Sequence, residues 1–127
     1  MDFDVEHEIL SRYSPLFGLK GELGEKQSWG IECGNGWSAL IVAMCCALEM
    51  QSTRTRRSIA FQYIKQKNGI LHCTLTESDD YCRGVVDSTM WMSYVTCEIC
   101  GNRGGLARGK QGWIRVLCPP CRQANPA

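Results

Sequence analysis

The chain has few histidines and no long hydrophobic run, and each absence removes a class of function. Only two of its 127 residues are histidine, so a metal nuclease built on paired histidines is not indicated. The longest apolar run, residues 39–48, ends at Glu49 and falls short of the roughly 18 residues needed to span a bilayer. Low-complexity tracts and internal repeats are also missing. These absences leave an ordinary globular protein without a membrane segment.

Catalytic constellations are missing as well. Neither His7 nor His72 has a serine, cysteine or carboxylate partner that sequence order singles out, and no pair of carboxylates stands apart. The Gly34–Gly36 segment is too short for a phosphate-binding loop. It instead predicts a tight turn before a helix, with Asn35 or Ser38 satisfying free amides. We therefore expect a protein that is not an enzyme.

Cysteine is abundant, with nine residues, but the chain does not begin like a secreted one. Residues 1–6 are acidic and contain neither a basic start nor an apolar signal core. We expect a reducing, cytoplasmic location, with four cysteines on a metal and five as thiols. Charge is uneven: residues 1–32 sum to −4 and residues 97–127 to +4, although the whole chain carries only +1. This balance is not that of a general polyanion binder.

Four of the cysteines form two C-x-x-C pairs, Cys97 with Cys100 and Cys118 with Cys121, separated by 17 residues. This spacing suits one structural, tetrahedral Zn²⁺ per chain, and Gly101 fits the tight turn after the first pair. Pro120 removes an amide that such a turn usually directs at its first sulfur. Because four thiolates leave no open position for water, a catalytic metal is not indicated.

Helices and one hairpin are predicted before these pairs. The apolar spacing indicates helices over residues 5–13, 37–50 and 80–94, with a polar linker at residues 51–57 and an irregular connection at residues 18–36. Asn68-Gly69 predicts a type I′ turn joining strands 61–67 and 70–76. One face of this hairpin would carry the apolar residues Ile64, Leu71, Cys73 and Leu75. The other would carry Phe61, Tyr63, Lys65, Lys67, Ile70 and His72.

The predicted fold is therefore α+β, with helices packed on a β-hairpin and a C-terminal zinc ribbon. We expect two parts, an α+β body over residues 1–94 and a ribbon over residues 95–127. The five remaining cysteines, at positions 33, 45, 46, 73 and 82, are expected to be small buried hydrophobes. A second metal site that uses Cys33 with His72 or Cys73 is the alternative.

Four sequence blocks, in order, resemble a known family. They are residues 33–37 (CGNGW), residues 64–71 (IKQKNGIL), residues 93–101 (SYVTCEICG), and Gly112–Arg115 followed by Cys118. The set is similar to a group of small, mostly uncharacterised bacteriophage and prophage proteins. Asn35 departs from an aspartate usual in that group, and Asn68 from a common aromatic. The resemblance implies a phage or prophage origin and, by association, a protein that binds host machinery, including defence systems.

The ribbon also carries a basic set interleaved with one aromatic. Its members are Arg103, Arg108, Lys110, Trp113 and Arg115. They could contact phosphates and stack on a base, or they could form a solvated hairpin whose tryptophan packs over the metal site. A second basic cluster favours a solvated loop, with contact to acidic protein or nucleic acid as the alternative; its members are Arg54, Arg56, Arg57, Lys65 and Lys67.

Two functions follow from these features. The leading hypothesis is a non-catalytic zinc-binding phage accessory protein that binds and modulates a host protein complex, in the cytoplasm of the bacterial host. The alternative is a nucleic-acid-binding zinc ribbon that acts in transcription or DNA handling, which depends on the basic tail and Trp113. Oligomeric state is left open by the sequence.

Overall fold

The computed structural model describes residues 1–19 and 29–126. Within these ranges, four helices and two separate two-stranded antiparallel sheets make an α+β fold, as the sequence predicted. Part of the connection predicted over residues 18–36 lies outside the described residues. No helix in the described ranges combines the length and apolar character needed to cross a bilayer.

The first helix, α1 (Phe3–Arg12), starts two residues earlier than predicted and buries Ile9 and Leu10. A 3₁₀ turn (Ser14–Phe17) follows, with its proline in the first turn, where a missing amide costs nothing. Glu6 is buried, and its carboxylate accepts hydrogen bonds from the amides of Trp29 at 2.9 Å and of Gly30 and Ile31 at 3.2 Å. This carboxylate therefore ties α1 to the segment that resumes at residue 29.

The second helix, α2 (Ser38–Thr55), includes residues 51–55 of the segment 51–57 predicted as a polar linker, so that prediction was wrong for these five residues. Gln51 explains the extension, because it is buried and donates from Nε2 to the Asp79 carboxylate at 2.9 Å. The helix ends at Thr55, and the next residue, Arg56, has a left-handed φ of 57°. The polar composition of residues 51–55 did not indicate this last part of the helix, because Asp79, the partner of Gln51, lies at the start of another helix.

The predicted hairpin is present as β1 (Phe61–Lys67) and β2 (Ile70–Leu75). Asn68 (φ 53°) and Gly69 (φ 87°) both adopt the positive φ that the type I′ turn requires. The assignment of Phe61 to the outer face was wrong. The pairing register shifts between Phe61 and Tyr63, which turns Phe61 inward, where it is 4% exposed. Phe61 then packs against Phe17, with 5.2 Å between ring centroids.

The third helix, α3 (Asp80–Ser93), begins at the predicted position. Asp79 caps it by accepting a 2.8 Å hydrogen bond from the Cys82 amide. The hydrogen bond from that amide and the one from Gln51 lower the pKa of Asp79 to about 2, so the cap is ionised at neutral pH. Because α3 contacts both α2 and β2, it joins the helical layer to the hairpin.

The ribbon, residues 95–126, contains β3 (Gly105–Arg108), β4 (Ile114–Leu117) and a short helix α4 (Pro119–Ala124). The ribbon packs against the body. Val116 belongs to the main core cluster together with Trp37 and Ile64, and Gln66 donates from Nε2 to the Ile114 carbonyl at 3.0 Å. The ribbon therefore contributes a residue to the main hydrophobic core.

The body approaches the ribbon closely at Gly36. A 3₁₀ turn (Asn35–Trp37) leads into α2, and the Gly36 amide donates to the Glu98 carbonyl at 2.7 Å. A Cβ added to Gly36 would overlap the carbonyl oxygen of Cys97. The neighbouring atoms are backbone, so they cannot move aside as a flexible side chain could.

We therefore expect Gly36→Ala to destabilise the protein by about 2–3 kcal/mol, since the two backbones would have to separate. Gly84→Ala is the matched control, because Gly84 lies in α3 with nothing within 4 Å of an added Cβ. The control should raise stability by about 0.5–1 kcal/mol through helix propensity. Urea unfolding at neutral pH measures both. Equal effects of the two changes would contradict the close approach.

Candidate metal centre

The structure brings all four predicted thiols together. The sulfurs of Cys97, Cys100, Cys118 and Cys121 lie within 4.8 Å of one another, and those of Cys100 and Cys118 are 3.5 Å apart. A regular tetrahedron with metal–sulfur bonds of about 2.3 Å has sulfur–sulfur edges of about 3.8 Å. The cluster therefore has the size of a tetrathiolate site for one ion.

The first pair sits on a tight turn directly after α3. Gly101 has a φ of 82°, and its amide donates to the Cys97 carbonyl at 2.9 Å. The Cys97 amide in turn donates to the Asn102 carbonyl at 2.7 Å. The left-handed conformation favours glycine, so the turn forms for the reason that the sequence suggested.

The second pair has a different geometry, because Cys118 lies between β4 and α4 and Cys121 lies in the first turn of α4. Pro119 and Pro120 occupy the start of this helix, where amides have no intrahelical partner. The Arg122 amide closes the turn by donating to the Cys118 carbonyl at 2.9 Å. The prolines are therefore compatible with the second pair, although Pro120 has no amide hydrogen to donate to the Cys118 sulfur.

Ionisation differs among the four thiols. Burial raises the pKa of Cys97, but backbone amides of Cys100, Cys118 and Ile99 outweigh burial and lower that pKa to about 6. The hydrogen bond with Cys118, followed by burial, raises the pKa of Cys121 to about 12. Four adjacent thiolates repel one another, so a bound cation is what would allow all four to ionise together.

One of the two residues between Cys97 and Cys100 joins this centre to the body. Glu98 is buried, and its Oε2 accepts a 2.9 Å hydrogen bond from the Gly34 amide. Its Oε1 pairs with Nε of Arg115 at 3.2 Å, and its amide donates to the Val116 carbonyl at 2.9 Å. We call this set of contacts the Glu98 clasp. It holds β4 and the residue 34–36 turn on opposite sides of one carboxylate.

Two neighbouring contacts support the clasp. Trp37 is fully buried and donates from Nε1 to the Thr96 carbonyl at 2.8 Å. Asn35 does not cap α2 as expected. Its side chain instead accepts from the Asp2 amide at 2.9 Å and donates to the Asp2 carboxylate at 2.7 Å. The turn before α2 is thus fixed to the ribbon on one side and to the start of α1 on the other.

The predicted basic set is divided by the structure. Arg115 is engaged with Glu98, and Trp113 is half-buried against the cysteine cluster, as its packing alternative proposed. Arg103, Arg108 and Lys110 are exposed. Sequence reasoning missed Arg122, which lines the same groove as Arg108 and Lys110. It also missed Glu98, although Glu98 is the only acid in the segment 97–127, which carries five basic residues.

Of the other cysteines, Cys33, Cys45 and Cys82 are buried, whereas Cys46 is exposed and was wrongly expected inside. Cys46 follows Cys45 on a helix, so its side chain is rotated by about 100° from that of Cys45, which faces the core. Burial raises the pKa of Cys33, Cys45 and Cys73 to about 12, which keeps these thiols protonated. Within the described ranges, the only group of three or more clustered potential ligands is the four-cysteine centre.

We expect Glu98→Gln to destabilise the protein by about 2–3 kcal/mol, because it leaves the Arg115 guanidinium without its counter-charge in a largely buried site. Glu77→Gln is the matched control. Its partner Arg57 lies 3.8 Å away with both side chains about half exposed, so the loss should stay under about 1 kcal/mol. Urea unfolding of both variants, with metal content checked, measures the difference. Similar losses would show that the clasp is not a buried ion pair.

Comparisons with other proteins do not show a family for this chain. No family model matches it, and neither a curated protein nor a solved structure matches it. The four sequence blocks therefore remain a resemblance. Functional proposals for this protein depend on the metal centre and on the surfaces that it holds in place.

Proposed function

We propose that this protein is a non-catalytic zinc-binding accessory protein of phage or prophage origin, which binds and modulates a protein complex of the bacterial host. Counter-defence is one form that such modulation takes. The observation that carries the proposal is an exposed apolar surface between the end of α3 and the four-cysteine cluster. The phage origin is supported by the order of the four sequence blocks. The cytoplasm of the host suits reduced thiolates.

Zinc is the metal that suits this centre best. A tetrahedral set of four thiolates accepts Zn²⁺ or a single iron, and zinc adds no redox chemistry to a site that has no open coordination position. The residues available to hold it are the four clustered cysteines. A saturated ion of this kind stabilises a fold and does not activate water. Its role here is to keep the ribbon folded and the Glu98 clasp closed.

The surface proposed for the host partner is the α3-end patch, defined as Trp91, Met92, Tyr94 and Val95. Trp91 is 63% exposed and Val95 56% exposed, and the Trp91 ring stacks on Tyr94 with 5.3 Å between centroids. Tyr94 is half-buried, whereas Trp91, Met92 and Val95 are exposed. An exposed tryptophan beside a tyrosine and apolar side chains is typical of the residues that dominate protein–protein affinity.

The end of this patch is hydrogen-bonded to the ribbon. The Gly104 amide donates to the Val95 carbonyl at 2.9 Å, and the next carbonyl, that of Thr96, accepts from Trp37. Two residues beyond the patch the chain enters the metal centre at Cys97. A surface held in one conformation loses less entropy on binding, so an ordered ribbon would raise affinity for a partner. Metal and partner binding are therefore linked in this proposal.

We expect one Zn²⁺ per purified chain, lost in Cys118→Ser but retained in Cys46→Ser, whose sulfur lies outside the cluster. Chelation should lower the unfolding midpoint of the unaltered protein because the ribbon has little core of its own. Inductively coupled plasma mass spectrometry gives the metal content, and the visible spectrum of the Co²⁺-substituted protein reports tetrahedral thiolate ligation. Stoichiometric iron, or no metal at all, would contradict the zinc assignment.

For the partner, we expect the double change Trp91→Ala with Val95→Ala to weaken binding to an isolated host complex by at least about 10-fold. The matched control changes Met50 and Tyr81, which are also exposed and apolar but lie outside the patch. Affinity purification from host cells identifies the complex, and calorimetry with purified components measures each Kd. If both double variants bind as tightly as the unaltered protein, the patch is not the partner surface.

A further inference from the structure

The ribbon carries a concave surface that the proposed partner patch does not use. A groove of about 450 Å³ lies between the tip of the β3–β4 hairpin and α4. We call it the ribbon groove, and its argued members are Arg108, Lys110, Trp113 and Arg122. The hairpin supplies the first three and α4 supplies the last. None of these residues belongs to the α3-end patch.

The charge of the groove is not neutralised by the ribbon itself. Arg108, Lys110 and Arg122 are exposed, and no salt bridge engages them among the described residues. The only acid in residues 97–127 is Glu98, which Arg115 already occupies. That segment sums to +4 with neutral thiols. A tetrathiolate zinc centre would bring a net −2, so an excess of about +2 would remain.

An aromatic face completes the surface. Trp113 is half-buried: part of its ring packs against the cysteine cluster, and the rest lines the groove beside the cations. A backbone-tracking set of cations beside an indole is the combination that holds single strands, because phosphates meet the charges and bases stack on the ring. We propose that the ribbon groove binds single-stranded nucleic acid, its cations contacting phosphates and its indole stacking on a base.

Groove shape favours a single strand over a duplex. Reading of duplex DNA uses an exposed helix or two-stranded ribbon that enters a major groove about 12 Å wide. Here α4 has only six residues, and the charges line a concavity between two elements rather than a protruding face. An acidic peptide would satisfy the cations but would leave the indole without a planar partner. Nucleic acid uses both features.

The groove depends on the metal centre for its shape. Cys118 directly follows β4 and Cys121 lies in α4, so the same cluster joins the hairpin wall to the helix wall. Asn125 strengthens the helix wall by donating from Nδ2 to the Cys121 carbonyl at 2.8 Å. Strand binding should therefore be lost with the metal.

The test is fluorescence anisotropy of the zinc-loaded full chain with labelled dT15 and U15 and with a 15-base-pair duplex. Three phosphate contacts on a single strand give a slope of about −2 in log affinity against log salt, or a roughly 20-fold loss between 50 and 200 mM. The triple change Arg108→Ala, Lys110→Ala and Arg122→Ala should abolish this slope. Preference between dT15 and U15 reports whether DNA or RNA is the natural strand.

The matched control removes the same charge from the body through Arg12→Ala, Arg54→Ala and Arg83→Ala, all exposed and remote in the chain from the ribbon. It should keep the slope and hold affinity within about twofold, since screened distant charges contribute little. Zinc content of each variant shows that the ribbon is intact. If the triple groove variant fails to fold, Lys110→Glu at the exposed hairpin tip replaces it and should weaken binding at 50 mM salt.

Stacking has its own readout. Strand binding should quench tryptophan fluorescence, and Trp113→Phe should remove that quenching while retaining binding, because phenylalanine also stacks. Trp91→Ala with Val95→Ala should bind the strand normally, which separates this proposal from the host-complex proposal. Equal losses in the two triple variants, binding to duplex alone, or binding to poly-glutamate but to no oligonucleotide would each overturn it.

Discussion

The carboxylate of Glu98 connects the two parts of the molecule. It stands between two cysteines of the metal centre, yet its oxygens bind the Gly34 amide of the body and Arg115 of β4. A buried carboxylate requires such partners, because an unpaired charge in this position would cost several kcal/mol. The position of the turn before α2, and with it the start of that central helix, therefore depends on the ribbon being folded.

A metal ion bound by the four-cysteine cluster would support this connection without a large apolar core. The ribbon's own apolar cluster is small, with Cys97, Ala107, Leu117 and Cys118 as its buried members. Four sulfur ligands to one ion would replace the core that these 30 residues cannot build. The α3-end patch and the ribbon groove both adjoin this centre, so the surfaces available for binding are ordered by the same bonds that stabilise the fold.

Local chemistry made much of this fold predictable. Asn68-Gly69 specified the hairpin because few other pairs accept positive φ at both positions, and Asp79 marked the start of α3 because an aspartate accepts the free amides of a first turn. The polar segment after Met50 was mistaken for a linker, since Gln51 becomes a helix-interior residue only through Asp79, which is 28 residues away. The shift beside Phe61 likewise has no local signal.

The sequence by itself determined the four-cysteine cluster, the hairpin and the α+β class, because cysteine spacing, turn residues and hydrophobic periodicity act over a few neighbouring residues. Only the tertiary structure decided what surrounds them. Arg115 pairs with Glu98 and is not free to contact a ligand. Arg122 lines the same groove as Arg108, and Gly34 and Gly36 contact the ribbon backbone. These outcomes depend on groups distant in sequence meeting across an interface, and no short-range pattern encodes such a meeting.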